Sequence, residues 1–320
     1  MPIMSLAPSS QLQLASFRDF DAFRPVELLG DARSIPLDFS NFSLARALVQ
    51  LPSCTVLVQR TFARIFEASY RIAGTLVIVP LDGATRAYVD GVALTPDAFI
   101  ALHGNSEVRF VEHASNLHAT IVFSPDLPDR DWFDDRDKIR AFSGDKAALA
   151  TLRSVIYRIL QVASAAPELL EMADFALPLR EELLVAIDQL FIPSQPYLLA
   201  GGHRHAQIIR RIDDYITTDP ASAVYSDAVA AECGVSVRTL GTAVRNVRGL
   251  SLHRYLRLKK LWAVRSLLMS GRDGATVSSY AMSNGFFHMG EFSSLYRSTF
   301  GESPSSTLAR ARQGASRRSA

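Results

Sequence analysis

Arg238, Thr239, Thr242 and Arg245 fall within three turns of one amphipathic stretch, and His288, Met289, Ser293, Ser294 and Arg297 fall within a second. These side chains offer guanidinium forks, hydroxyls, an imidazole and a thioether. The set suits hydrogen bonding and apolar contact with base edges and phosphates rather than covalent chemistry. The first residues of a helix lying in the major groove reach bases, and later basic residues reach phosphate. Arg238, Thr239 and Thr242 are therefore expected at bases and Arg245 at phosphate. His288, Met289, Ser293 and Ser294 are expected at bases or sugars, with Arg297 at phosphate. Met289 can offer only apolar contact, for instance to a thymine methyl, and Glu291 could accept from cytosine or face solvent. The expected partner is double-stranded DNA.

Other chemistry-bearing residues do not assemble into a catalytic pattern. His103, His113 and His118 lie near Glu107 and Glu112, but the close His-x-His, Glu, His spacing of a metal-binding cupin is absent. His203 and His205 fall in an expected linker, where a solvated loop accounts for them. There is no Gly-x-Ser-x-Gly elbow and no phosphate-binding loop. Neither a metal nor a cofactor is expected, and the chain is not read as an enzyme. Arg60, Arg64, Arg71, Arg86 and Tyr88 could line a pocket for an acidic or aromatic effector, or could be exposed faces.

The elements that must position the first group are two short helix pairs. One runs through Ser226-Asp-Ala-Val-Ala-Ala-Glu-Cys-Gly-Val-Ser-Val-Arg-Thr-Leu240, the other through Thr276-Val-Ser-Ser-Tyr-Ala-Met-Ser-Asn-Gly-Phe-Phe-His-Met-Gly-Glu-Phe292. Each carries a central alanine (Ala230, Ala281) and then a glycine (Gly234, Gly285) where the chain must turn sharply at positive φ. Ser236 is placed to cap the helix after Gly234. Leu240, Val244 and Val247 form one inward stripe, and Phe292, Tyr296 and Phe300 the other. The spacing predicts helix-turn-helix units over about 226–248 and 276–300. A basic helix over about 253–269, carrying Arg254, Arg257, Lys259, Lys260 and Arg265, bridges them. A further helix starts after Ser303-Pro304, a well-formed cap and first position. At roughly 1.5 Å per residue the bridge is about 24 Å long, suited to successive major-groove segments about 34 Å apart.

The 320 residues suggest two domains, 1–200 and 201–320, and 48% hydrophobic content is enough for packed cores. From Thr55 to Phe123, short runs rich in Val, Ile, Thr, Phe and Tyr alternate with turn signals at Asp82-Gly83, Asp90-Gly91, Thr95-Pro96-Asp97 and His103-Gly104-Asn105. This predicts a β-sandwich or barrel over about 50–125. From Lys146 the period changes to three and four, predicting helices over about 146–191, with Leu149 to Ala163 as one apolar stripe. Prolines and a Gly-Gly pair between Ile192 and His205 mark the linker. The overall charge of +2 divides unevenly: residues 206–320 hold 16 Lys and Arg against 8 Asp and Glu, and residues 1–205 hold 18 against 24. A basic module on an acidic one suits a polyanion binder. The longest apolar run, Thr75 to Pro80, is far short of the roughly 20 residues of a membrane span. The start Met1-Pro-Ile-Met-Ser-Leu-Ala lacks a charged segment before an apolar core, and two cysteines make no disulfide framework. A cytoplasmic protein is expected.

Residues 207–312 resemble the DNA-binding domain of the AraC/XylS family of transcription regulators. The resemblance is carried by Val229-Ala-Ala-Glu-Cys-Gly-Val-Ser-Val-Arg-Thr-Leu240, Gly249-Leu-Ser-Leu-His-Arg-Tyr-Leu-Arg-Leu-Lys-Lys-Leu261 and Gly285-Phe-Phe-His-Met-Gly-Glu-Phe-Ser-Ser-Leu-Tyr-Arg-Ser-Thr-Phe-Gly-Glu-Ser-Pro304. The last of these is most similar to the XylS branch. The chain departs from the pattern at Leu252 (usually Pro), Lys260 (usually Arg), Val264 (usually Ala) and Val244 (often a bulky aromatic), which points to a looser first unit. The resemblance implies an α+β protein: an N-terminal cupin-like β-barrel with a helical dimerisation segment, then an all-α tandem helix-turn-helix domain. It further implies a homodimer, a small-molecule effector, and an activator that touches RNA polymerase. A regulator without an effector, and a ligand-binding or enzymatic barrel with a helical anchor, are the alternatives.

Overall fold

The computed structural model describes residues 3–23, 31–37, 39, 42–83, 87–89, 92–125, 130, 132, 139–196, 202–218, 225–271 and 274–316. They fall into two compact units, one built mainly from residues up to Ala200 and one from Gly201 onward. Arg86 and the Asp90-Gly91 turn lie outside the described residues, as do Tyr197 to Gly201 of the expected linker.

The first unit contains β1 (Leu12–Phe17), β2 (Asp31–Pro36), β3 (Leu44–Leu51), β4 (Cys54–Arg60), β5 (Arg64–Pro80), β6 (Ala87–Val89), β7 (Val92–Ala93), β8 (Ala98–Glu112), β9 (Leu117–Phe123) and β10 (Ile139–Ser143). These are followed by α1 (Lys146–Ala165), α2 (Glu168–Glu171), α3 (Ala173–Phe191) and β11 (Gln195–Pro196). The sheet runs β1-β3-β4-β9-β5-β8-β10-β11, with β2 on β5 and β6 on β7 and β8. The pairings with a given register are antiparallel. Among the described strands this path does not close edge to edge. It does fold over: β5 pairs with β8 along most of its length and with β9 through Leu76–Pro80. Strand alternation then separates two faces. Val77, Val79, Phe99 and Ala101 join α1 and α3 in one apolar core, while Phe66, Tyr70, Leu76, Ile100 and Leu102 form a second.

Two expectations change here, and the apolar stripe of α1 finds its partner. β1, β2 and β3 occupy the first fifty residues, where mixed composition hid them. β5 and β8 are single strands of 17 and 15 residues, so His103-Gly104-Asn105 is not a turn between strands. A register shift between Arg71 and Thr75, facing Gly104 at φ 61°, bends the pair without ending it. The stripe from Leu149 to Ala163 is fully taken up by the core of its own chain, with Leu152, Ile156 and Ile159 at 0% exposure, because α1 packs on α3 and the sheet. It is therefore not a free dimer face.

The second unit is helical: α4 (Gly202–Thr218), α5 (Ser226–Glu232), α6 (Val237–Arg248), α7 (Leu252–Met269), α8 (Val277–Ser283), α9 (Met289–Phe300) and α10 (Pro304–Ser316). α4 begins at Gly202, so His203 and His205 belong to its first turn and not to a loop. α4 packs on α5, α6 and α7, and α10 packs on α7, α8 and α9.

Candidate functional site

The two helix pairs are built alike. α5 and α8 have 7 residues, and α6 and α9 have 12. Gly234 (φ 65°) and Gly285 (φ 76°) make the turns, a conformation costly for any residue with a Cβ. Gly249 and Gly301, both left-handed, end α6 and α9, and their amides close on the carbonyls of Arg245 and Arg297. Ser236 caps α6, accepting from the Thr239 amide at 3.1 Å. Thr276 and Ser279 form a reciprocal capping box on α8, which the sequence reading missed. Buried Asn284 braces the second turn by donating to the Tyr280 carbonyl at 2.8 Å.

Packing fixes which side of each helix faces out. Leu240, Val244 and Val247 are buried at 0–1% exposure, and Phe292, Tyr296 and Phe300 at 0–5%. The Tyr296 and Phe300 rings lie 4.5 Å apart. On α6, Arg238, Thr242 and Arg245 are exposed along one face and Thr239 is half-buried. The Thr242 hydroxyl donates to the Arg238 carbonyl at 2.9 Å, leaving its lone pairs and methyl for a partner. Around α9, His288, Glu291, Ser294 and Arg297 are exposed, and His288 sits at the N-cap without capping the helix through its ring. Ser293 is half-buried at the edge. Met289 is half-buried and packs against the Phe292 cluster, so only part of it faces outward. Asn246, Phe287 and Gly290 are also exposed beside these faces. Asn246 could have been found from its place one residue after Arg245, opposite Val244. Nothing in the spacing singled out Phe287.

The bridging helix is less of a basic surface than its composition suggests. Arg254 and Arg257 are exposed, but Lys259, Lys260 and Arg265 are buried. Lys259 pairs with Asp213 at 2.9 Å, and the fully buried Arg248 of α6 reaches the same carboxylate at 3.3 Å. The Tyr255 hydroxyl donates to it at 2.5 Å. Burial pushes the Asp213 pKa up, but Lys259 and Arg248 outweigh it and hold the carboxyl below its ordinary range. Glu302 plays the equivalent part in the second unit, with Arg265 at 2.7 Å and Arg310 at 2.9 Å. Arg265 also meets the Tyr296 hydroxyl at 3.3 Å. Burial raises the Glu302 pKa as well, and hydrogen bonds from Arg265 and Thr307 together with the two guanidinium charges bring it below normal. Lys260 lies over the Phe286 ring, and burial lowers its pKa. α6 and α9 are thus each tied to the bridge through a half-buried carboxylate. At the departures from the family pattern, Val244 and Val264 are at 0% exposure and Leu252 at 9%.

A second candidate site is a cavity inside the strand unit. Its atom-free space, including its mouth, is about 580 Å³. Arg64, Glu112, Asn116, His118 and Gln59 form its polar part. Arg64 Nε donates to Glu112 at 2.5 Å, and Thr61 and Asn116 each donate to the other carboxylate oxygen at 3.0 Å. Burial works against the Glu112 charge, but Arg64 and its other partners hold the pKa below normal. Gln59 Nε2 donates to His118 Nε2 at 2.9 Å, which requires that ring nitrogen to be unprotonated. Burial lowers the His118 pKa to about 4, with the Glu112 charge opposing. Among the described candidates only Arg64 lines the cavity. Arg60 is exposed and pairs with Asp82 at 3.8 Å, and Tyr88 meets the His113 ring edge-on at 5.5 Å. Arg71 belongs to β5, and its side chain lies outside the description. His103 bonds Thr75 at 3.1 Å and Glu107 pairs with Arg109 at 3.1 Å. Among the described residues no three His, Cys, Asp or Glu side chains gather as metal ligands. Both cysteines are buried, and no helix among the described residues is long and apolar enough to cross a membrane.

Residues 229–310 match a helix-turn-helix domain family. The chain is 34% identical over 101 residues to XylDLEGF operon transcriptional activator 3 of Pseudomonas putida, a match covering 31% of this chain and 30% of that protein. It is 28% identical over 219 residues to the HTH-type transcriptional activator RhaS of Escherichia fergusonii, covering 62% of this chain and 72% of that one. The solved structure of a probable AraC family transcriptional regulator from Rhodopseudomonas palustris is 33% identical, with a TM-score of 0.30, over 33% of this chain and 97% of that one. The chain therefore spans under a third of the length of the first of these relatives.

Proposed function

Because this chain belongs to the AraC/XylS family of transcription regulators, we propose that it binds DNA through the exposed faces of α6 and α9 and couples that binding to a small molecule held in the strand unit. The observation that carries this reading is the pair of 12-residue helices, each ended by a left-handed glycine, with polar faces left exposed by their packing. Arg238, Thr239 and Thr242 read bases on the first segment, and Arg245 holds phosphate. His288, Ser294 and the edge residues Met289 and Ser293 read bases or sugars on the second, with Arg297 on phosphate.

The relatives' names as activators support the reading of an activator, and contact with RNA polymerase in the cytoplasm is proposed with it. The cavity is read as a binding site and not a catalytic one, since Glu112 and His118 are already committed to Arg64, Asn116, Thr61 and Gln59. A homodimer is proposed through the outer face of α3, where Leu177 and Val185 remain exposed. A Val185→Glu chain should then sediment as a monomer, and an unchanged dimer would rule that face out.

Titrations on a selected duplex test the DNA reading. Arg238→Ala should weaken binding by about 1–3 kcal/mol and relax preference at one position. Arg245→Ala should weaken all sequences alike and flatten the salt slope by about one. Unchanged affinity in both variants would refute the assignment of α6.

A further inference from the structure

The cavity of the strand unit carries its own information about what it holds. Its charged lining groups cancel. Arg64 and Glu112 are at 4% and 5% exposure and face each other at 2.5 Å, so neither has charge to spare for a ligand. Arg64 also reaches Ser34 at 3.4 Å and lies over the Phe66 and Phe62 rings at 4.5 and 5.5 Å. His118 accepts from Gln59 and is held neutral by burial. Outside this paired patch the walls are apolar, with Phe66, Phe110, Ile78, Ile100 and Leu94 among them.

Two hydroxyls in the same cavity are not satisfied in this way. Tyr70 and Thr120 are each at 3% exposure and line the space. No hydrogen bond joins either hydroxyl to the described residues, and both residues open on the cavity rather than on sealed packing. A hydroxyl in that position keeps a donor and lone pairs available to whatever enters. Burial also pushes Tyr70 ionisation well above its ordinary range, so the group stays a donor.

We infer that this cavity takes an uncharged, largely apolar small molecule with one hydroxyl, carbonyl or amide group, met by Tyr70 and Thr120, in preference to a carboxylate or an ammonium ion. An anion entering here would be stripped of water with no free cation among the described lining residues to receive it, because Arg64 is already neutralised by Glu112. A cation would meet the same balance from the other side. A neutral oxygen or amide instead completes two idle hydroxyls. This inference rests on the reading of the cavity as the effector site and narrows it. Of the readings the strand arginines left open, an acidic effector, an aromatic effector or plain exposed faces, it sets the acidic one aside.

The test uses the full-length chain at neutral pH and ligand-observed NMR with matched sets: benzyl alcohol, benzamide, benzoate and benzylammonium, and cyclohexanemethanol, cyclohexanecarboxamide and cyclohexanecarboxylate. The neutral members should bind at least tenfold more tightly than their charged counterparts, and Tyr70→Phe and Thr120→Val should each weaken them several-fold. Glu112→Gln releases Arg64 and should turn the preference toward the carboxylates. If that variant does not fold, the unaltered chain and Tyr70→Phe decide. Carboxylates binding the unaltered chain as well as the neutral members would overturn the charge assignment and leave the effector site standing. Binding of no member, or binding untouched by both hydroxyl variants, would overturn the effector site itself.

Discussion

At the scale of single residues, the same amino acid does opposite things a few positions apart. Arg238 and Arg248 both belong to α6, yet one is exposed and the other is at 0% exposure on Asp213. Helical spacing separates them: Arg248 stands four residues after Val244, on the inward stripe, while Arg238 follows the cap. The same argument applies to Lys259, Lys260 and Arg265 on α7, which composition alone had counted as surface charge. What spacing did not reveal is the acidic partner, since Asp213 and Glu302 are distant in sequence from the cations they hold. His118 gives a residue-level prediction. Its folded pKa of about 4 lies below the unfolded value near ~6.5. Between those values the unfolded chain binds a proton that the folded chain does not, so stability must fall as pH drops through that window. Part of the ring faces the cavity, and the loss should come to roughly 2 kcal/mol. Denaturant melts at pH 7 and pH 5 should show it, and His118→Gln should remove most of the difference.

At the scale of elements, the helices were legible because their caps and stripes are local. Ser236, Ser303-Pro304, Gly234 and Gly285 stand where they were expected, and α7 begins one residue from its predicted start. The strands were less legible. β5 and β8 bend at an irregular pairing set by their neighbours, and such a bend looks in sequence like an end. Two predictions belong to this scale, one from a tie to α7 and one from the glycine that ends α9. Asp213→Asn leaves the buried Arg248 and Lys259 without their counter-charge and should cost about 3 kcal/mol or more. Thermal unfolding checks it, and a shift within error of zero would mean the cations find other partners. Gly301→Ala meets no neighbouring atom, so its cost comes from a φ of 74° alone, about 1–2 kcal/mol. Asp213 and Glu302 have lowered folded pKa values, so their contribution is complete above the unfolded carboxylate range near ~4. It is lost as pH falls through the lowered folded values. The helical unit should thus weaken only in stronger acid than the His118 window of the strand unit.

At the scale of the whole molecule, the proposed function requires α6 and α9 to be held as a pair by the one bridge, α7. α7 has 18 residues, about 27 Å at roughly 1.5 Å per residue. Half-buried carboxylates, Asp213 and Glu302, tie it to the elements on either side. That arrangement predicts a divided binding site and assigns each half to one helix. Selection of random duplexes by the full-length chain measures this directly. The expected result is two clusters of preferred bases centred about 10–10.5 base pairs apart, with Arg238→Ala blurring one cluster and Ser294→Ala blurring the other. A single undivided cluster, or both substitutions blurring the same bases, would contradict the account.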